Sequence, residues 1–418
     1  MPTPQIASSL PPARLLDLTR LVSRVGRGPW TGIDRVEAAW LDRLLDEPTP
    51  LFALVRTNLG FALLDRTGMH AMAERLHGRT PWGPSKGLAQ LSFRASPARR
   101  QAMSDLRHLA LVRCTQRGLA RMLRRQLPDG TIWLALSHTN LSRPVFEAVK
   151  ALPGAKAHVL LHDVIPLKFP KWQDPRVLTT FTHSLHNISA LADLVICNSQ
   201  TTRMDASVAM KATGRVPPMI VAPLGIDPAA PDFSALPEGA LPDRPFFIAL
   251  GTQQPHKNLG FLLDIWEKFA KERPKADIPA LLFVGARSPT NPGFAKRLET
   301  SPLLGHHVFE LTGLSDGAVS ALVARARALL MPSLYEGFGL PPGEALALGT
   351  PVIANDLPVY REAFGNNLVY ADCADMYSWA ERILDLARAE QKPSMAADGE
   401  ALGLPTWQAH FNLVLKVT

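Results

Sequence analysis

Short apolar runs recur along the chain, each closing on small or polar residues and each followed by a stretch with helical spacing. TIWLALS (131–137), AHVLLHD (157–163), ADLVICNS (192–199) and PMIVAPLG (218–225) form one series. FFIALGT (246–252), ALLFVGA (280–286), ALLMPS (328–333) and PVIAN (351–355) form a second. Runs apolar at nearly every position predict strands buried on both faces. Their alternation with helical stretches such as NLGFLLDIWEKFAKE and DGAVSALVARA predicts parallel sheets. Between the series lies GIDPAAPDFSALPEGALPDRP, dense in proline and small residues, which reads as a linker. The expected fold class is α/β, with two Rossmann-like domains divided near residue 226.

Composition agrees with that division. At 418 residues the chain exceeds one ordinary core, and 46% apolar with 20% charged residues is globular. No apolar run reaches the roughly 18 residues of a membrane span. MPTPQIASSLPPARLL lacks the charged start and apolar core of a secretory signal. Three widely spaced cysteines, Cys114, Cys197 and Cys373, suggest neither a disulfide framework nor a zinc site, and a cytoplasmic location is expected.

The net charge of +8 is concentrated: nine arginines and one aspartate lie between Arg94 and Arg125. Leu106, Leu109, Ala110, Val112, Leu119, Met122 and Leu123 recur there at roughly helical spacing. The stretch reads either as a surface helix with a solvated basic face or as a helix resting on an anionic membrane. Nucleic acid ranks third, since no recognition motif accompanies the charge.

Candidate chemistry centres on SLYEGFGLPPGEALALGTPVIA, residues 333–354. The pattern predicts a strand over 328–331, a glycine loop carrying Glu336, a short helix with Glu344 in its first turn, then the strand PVIA. Such a helix start lies at the carboxyl edge of a parallel sheet, where ligands bind. Glycines between the carboxylates suit close backbone approach to a ligand. Bare amides receive an anion, and flanking carboxylates accept from hydroxyls. A sugar nucleotide has that make-up. In FFIALGTQQPHKNLGFLL, Lys257 stands before a helix whose dipole disfavours a cation, which a phosphate would explain. His256 is read evenly between a phosphate contact and a solvated loop residue. Gly32 opens an amphipathic helix in GPWTGIDRVEAAWLDRLL, where a glycine serves a turn or an approach to phosphate. His162 and Asp163 follow a buried strand in VLLHDVIPLKFP, and Asn198 and Arg203 do so in DLVICNSQTTRMD. The chain has no D-x-D, no G-x-G-x-x-G after a strand, no G-x-x-x-x-G-K-[ST] and no G-x-S-x-G. Metal-held diphosphate, dehydrogenase, ATPase and hydrolase readings lose ground.

EGFGLPPGE, GTQQPHKN, HDVIPL, CNSQTTR and PLGID together resemble the retaining glycosyltransferases of the GT-B fold, often called glycosyl transferases group 1 or family four, with EGFGLPPGE as their E-x7-E element. The resemblance covers residues 157–400; TGIDRVE is a fainter match, and residues 46–130 match nothing. It implies two Rossmann-like domains facing across a cleft: residues 1–225 for the acceptor, 226–402 for the nucleotide-sugar donor, and 403–418 as a helix returning to the first domain. Glu336, His162 and Lys257 would be catalytic, with Glu336 on the donor sugar and His162 facing the reacting centre. Gly337, Phe338, Gly339 and Leu340 would lay backbone on sugar and phosphates, and Glu344 would take the ribose. Lys257 and Gly32 would hold the diphosphate, with Thr252, His256 and Leu314 completing the donor site. Asp163, Asn198 and Arg203 would lie on the acceptor side. His256 stands where many members carry arginine. Asp34 replaces the second glycine of a G-I-G turn and sets an anion near the expected diphosphate.

The expected activity is a metal-independent transfer, with retention, of a sugar (mannose or rhamnose) from a nucleotide diphosphate to a glycan or lipid-linked acceptor. No cofactor is expected beyond the co-substrate, and no nucleic acid; an anionic membrane is a candidate partner. The expected place is surface polysaccharide synthesis at the cytoplasmic face of the membrane. Two rivals are a sugar-nucleotide epimerase on the same plan and a non-catalytic basic surface-binding protein.

Overall fold

A computed structural model describes residues 10–85, 96–389 and 402–418. Arg94, the first 9 residues and 390–401 lie outside the described residues. Eight strands form the first sheet: β1 (Arg14–Asp17), β2 (Leu51–Thr57), β3 (Gly60–Leu64), β4 (Val112–Cys114), β5 (Ile132–Ala135), β6 (Lys156–Leu161), β7 (Leu194–Cys197) and β8 (Met219–Val221). Their order is β4-β3-β2-β1-β5-β6-β7-β8, antiparallel only where β3 meets β2 and β4. The second sheet is parallel throughout. It takes β9 (Phe246–Leu250), β10 (Ala280–Val284), β11 (Val308–Leu311), β12 (Leu329–Met331), β13 (Val352–Ala354) and β14 (Val369–Tyr370) in the order β11-β10-β9-β12-β13-β14.

Both sheets are buried on both faces, which is why their strands read as unbroken apolar runs. In β5, Ile132 and Leu134 enter one core cluster, and Trp133 and Ala135 enter the opposite one. In β9, Phe247 and Ala249 are divided in the same way from Phe246 and Ile248. Strand order reverses beside β1 and beside β9, and the crevice outside the carboxyl ends there is where open α/β sheets bind ligands.

The two sheets are tied by chain that crosses twice. Near Gly225 the chain leaves the first sheet, and the Trp407–Val414 helix returns to it. A Cβ at Gly225 would lie 2.3 Å from Trp407, so the outgoing and returning segments pass with no room for a side chain. On the returning helix, Phe411 and Val414 enter the first core, with Phe411 set edge-on to Trp40 at 5.4 Å.

The basic stretch is not one helix. It divides into the Pro97–Leu109 helix, edge strand β4 and the Leu119–Gln126 helix. Leu106, Leu119, Met122 and Leu123 are buried in the protein's own cores, so its apolar stripe is not available to a membrane. The two helices serve different cores, Leu106 entering one cluster and Leu119, Met122 and Leu123 the other.

Phe411→Ala should destabilise the protein by about 3–5 kcal/mol, the usual cost of emptying an aromatic core position. Chemical denaturation measures it, and a loss below about 1 kcal/mol would show that the returning helix is not part of the core.

Candidate functional site

The Gly32–Asp46 helix begins just beyond β1's helical connection and is fixed by its own first turn. Thr31 and Asp34 form a capping box, the Thr31 amide donating to Asp34 Oδ2 at 2.7 Å. Asp34 is fully buried and paired with Arg20 (2.7 Å) and Arg24 (3.1 Å). The anion that threatened the expected diphosphate thus points into the fold and is neutralised there. Gly32 meets the other half: a Cβ there would stand 3.2 Å from Leu340 Cδ1.

From the second sheet, β9 ends at Leu250 and is followed by Gly251 and an exposed Thr252. A single 3-10 turn, Pro255–Lys257, precedes the Leu259–Glu272 helix. Lys257 Nζ donates to Glu336 Oε1 at 2.6 Å, with both side chains largely buried. Burial would raise the Glu336 carboxyl, but Lys257 and His256 outweigh it and hold it below its ordinary value. His256 is buried rather than a solvated loop residue. Burial, with Lys257 beside it, lowers its imidazole below the ordinary value.

The helix after β12 is Leu340–Ala347, capped by Gly339 at φ +98°. Glu344 is its fifth residue, just past the first turn in which it was expected, because the helix starts one residue before Pro341. Arg35 Nη1 donates to Glu344 Oε1 at 2.5 Å across the two halves. Burial nevertheless keeps Glu344 above its ordinary value. Leu314 lies in the loop after β11 and packs on the second sheet's core, while Phe338 and Leu340 pack with the first.

The glycines have a structural cause that the sequence reading did not credit. A Cβ at Gly337 would fall 2.1 Å from the His162 carbonyl oxygen, and one at Gly339 would fall 2.6 Å from the Tyr360 ring. At Gly337 the close approach is to the chain's other half, and at Gly339 it is to a ring of the same half. Ser199 Oγ and Thr202 Oγ1 donate to the Gly337 carbonyl at 2.7 and 3.1 Å.

On the first sheet, His162 is buried and donates from Nε2 to the Leu136 carbonyl at 2.8 Å. Burial and the neighbouring His138 lower its pKa to about 3. It is therefore a neutral ring whose Nδ1 carries the lone pair. Asp163 Oδ1 accepts from the Ile165 amide, and burial raises its carboxyl. Asn198 donates to the His162 carbonyl at 2.8 Å, and its own Oδ1 is buried without a partner. Arg203 sits one turn into the Gln200–Lys211 helix, half-buried. Helix and loop meet again at Tyr335, whose hydroxyl donates to Asp205 at 2.7 Å.

Sequence reasoning missed a polar group at the carboxyl ends of β1 and β5. Asn140 donates to Asp17 Oδ2 at 2.6 Å, and burial raises the Asp17 carboxyl. Glu37 is buried with both carboxylate oxygens lacking a geometric hydrogen bond, and burial raises its pKa to about 8. His138 Nε2 is also buried and unpartnered, its pKa lowered by burial to about 4. Glu37 was legible only as one charge on an apolar helix face.

Glycosyl transferases group 1 is the family that matches residues 236–399. The serotype-specific mannosyltransferase WbdA of Escherichia coli is 31% identical over 280 residues, 63% of this chain and 33% of that protein. The O-antigen chain mannosyltransferase RfbU of Salmonella typhimurium is 34% identical over 152 residues, 35% of this chain and 39% of that protein. The match thus spans about a third of WbdA's length. Among solved structures, Anabaena Alr3699/HepE in complex with UDP and glucose aligns with TM-score 0.63 at 16% identity, covering 96% of this chain and 98% of that one. Sucrose-phosphate synthase from Thermosynechococcus elongatus aligns with TM-score 0.58 at 16% identity, covering 96% and 97%. The architecture they share with this chain is the GT-B fold.

Glu37 makes stability fall as pH rises. Between its ordinary value of 4.5 and about 8, the unfolded chain has lost this proton and the folded chain keeps it, so unfolding releases it. The group's contribution should fall by about 1.4 kcal/mol per pH unit across that window and level off above it. Glu37→Gln should flatten the decline of Tm between pH 5 and 8, and thermal unfolding across that range checks it.

Proposed function

We propose that this chain, which belongs to glycosyl transferases group 1 through residues 236–399, moves a sugar from a nucleotide diphosphate to a glycan or lipid-linked acceptor. The observation that carries the reading is the meeting of Lys257 and Glu336 beside the Gly337 loop, pressed against His162 of the other half. Lys257 would neutralise the diphosphate as it departs. Glu336, held ionised, would accept from donor-sugar hydroxyls, and Glu344 from the ribose. A neutral His162 would offer Nδ1 to the reacting sugar or acceptor. Thr252, His256, Leu314 and the backbone of 337–340 would complete the donor site, with Gly32 approaching from the other half. Asp163, Asn198 and Arg203 would face the acceptor.

The mechanism proposed is same-face displacement with retention, in which a phosphate oxygen takes the acceptor's proton. Double displacement would need a carboxylate about 5 Å from its partner across the anomeric carbon, and Asp163 is the nearest candidate in kind. No metal or other cofactor enters this proposed mechanism. Similarity to mannosyltransferases of O-antigen synthesis supports mannose as the sugar and surface polysaccharide as the product.

For location, no helix among the described residues is long and apolar enough to cross a membrane. We place the protein at the cytoplasmic face, held by charge rather than by insertion. Arg113, Arg117, Arg121, Arg124 and Arg125 are all exposed on β4 and the two turns after it.

Thermal unfolding with GDP, UDP, TDP and their common sugars should find one nucleotide that raises Tm. Lys257→Ala should weaken that binding roughly 10- to 100-fold, the worth of a charge-assisted contact. Unchanged affinity and rate would remove Lys257 from the site. Turnover of the donor with no acceptor present would instead indicate an epimerase.

Co-sedimentation with anionic vesicles should occur at low salt and fade at high salt, since each exposed arginine contributes about 1 kcal/mol over a Debye length of ~8 Å. Equal binding to neutral vesicles, or none to anionic ones, would detach the protein from the membrane.

A further inference from the structure

Arg35 is a cation in the opening turns of a helix, where the dipole disfavours it. It is the fourth residue of the Gly32–Asp46 helix, and its guanidinium crosses to Glu344 in the other half. Burial opposes its charge, and Glu344, Asp316 and Asp227 together outweigh that effect. Arg35, Glu344, Asp227, Asp316, Leu340 and Trp30 line a cavity of about 260 Å³ between the halves. The carboxylate that Arg35 occupies is the one the donor reading gives to the ribose. A ribose that used both carboxylate oxygens would have to take Oε1 from Arg35. Gly32, one turn before Arg35, abuts Leu340 at the start of the helix that carries Glu344. A displaced guanidinium would therefore remain beside two helix starts, where the donor's diphosphate is expected.

We propose that Arg35 is a donor-contact residue that exchanges partners, holding Glu344 in the empty protein and moving to the diphosphate as the ribose takes Glu344. The proposal rests on the nucleotide-diphosphate reading above. Arginine suits the exchange because its planar fork of donors fits carboxylate and phosphate alike. A ligand with ribose but no phosphate breaks the ion pair and offers the guanidinium nothing in return. A diphosphate replaces the lost partner. The residue thereby makes the site demand both parts of the nucleotide.

Calorimetric titration of wild type, Arg35→Ala and Arg35→Lys tests this, with GDP, UDP and TDP and with the matching nucleosides at millimolar concentration. In Arg35→Ala, affinity for the preferred diphosphate should fall roughly 10- to 100-fold. Nucleoside affinity should hold or rise, since Glu344 is now open to the ribose. Arg35→Lys should recover part of the diphosphate affinity. A parallel fall for diphosphate and nucleoside would mark Arg35 as a structural tie only, and no change in either would remove it from the site; both overturn the proposal. If wild type binds none of the three diphosphates, the donor reading itself fails and this inference falls with it.

Discussion

The His162 carbonyl oxygen stands 2.1 Å from where any side chain at position 337 would begin. That contact fixes how the loop after β12 lies against the end of β6, and the surrounding contacts conform to it. Asn198 holds the same carbonyl from one side, while Ser199 and Thr202 hold the Gly337 carbonyl from the other. Glu336, one residue earlier, is thereby held against Lys257 of its own half. A side chain at 337 would push the loop away and carry Glu336 with it. The two sheets contribute to one site because a backbone atom of each occupies the space a side chain would need.

Around that contact, the charges facing the cleft are mostly compensated before any ligand arrives. Lys257 meets Glu336 and Arg35 meets Glu344. An uncompensated buried charge would cost several kcal/mol, so the empty site survives by pairing its own ions. On the proposed function a charged ligand would enter by exchange, its phosphates replacing a carboxylate for Lys257 or Arg35 and its hydroxyls replacing a cation for Glu336 or Glu344. Glu37 and His138 follow another route, since burial keeps each of them neutral instead.

The strands of both sheet centres were legible because burial on both faces leaves no polar interruption. All eight apolar runs contain a strand, from β5 through β13. Six strands escaped notice, and five carry breaks: β1 runs from Arg14 to Asp17, β2 ends in Arg56-Thr57, β4 contains Arg113, β11 contains Glu310 and β14 has two residues; only β3 is unbroken. In the basic stretch, spacing could not report that Val112–Cys114 pairs with β3, which is what breaks the helix. At the site, the glycines signalled close approach, but their partner His162 is remote in sequence and left no local pattern. Arg35 was unreadable for the same reason. Its meaning lies in Glu344, 309 positions away.

Glu336 and Glu344 are of one residue type, eight positions apart, yet they sit in opposite electrostatic states. Glu336 is held below its ordinary value by a lysine of its own half, and that pairing does not depend on the distance between the halves. Its ionised state is thus set within one half. Glu344 is raised by burial, and the cation that opposes this comes from the other half. Its charge is therefore tied to the contact between the halves: loss of that contact would remove Arg35 and admit water together. The loop and short helix thus place one carboxylate that is constant and one that senses the opposite half, and their spacing lets each answer to a different cation.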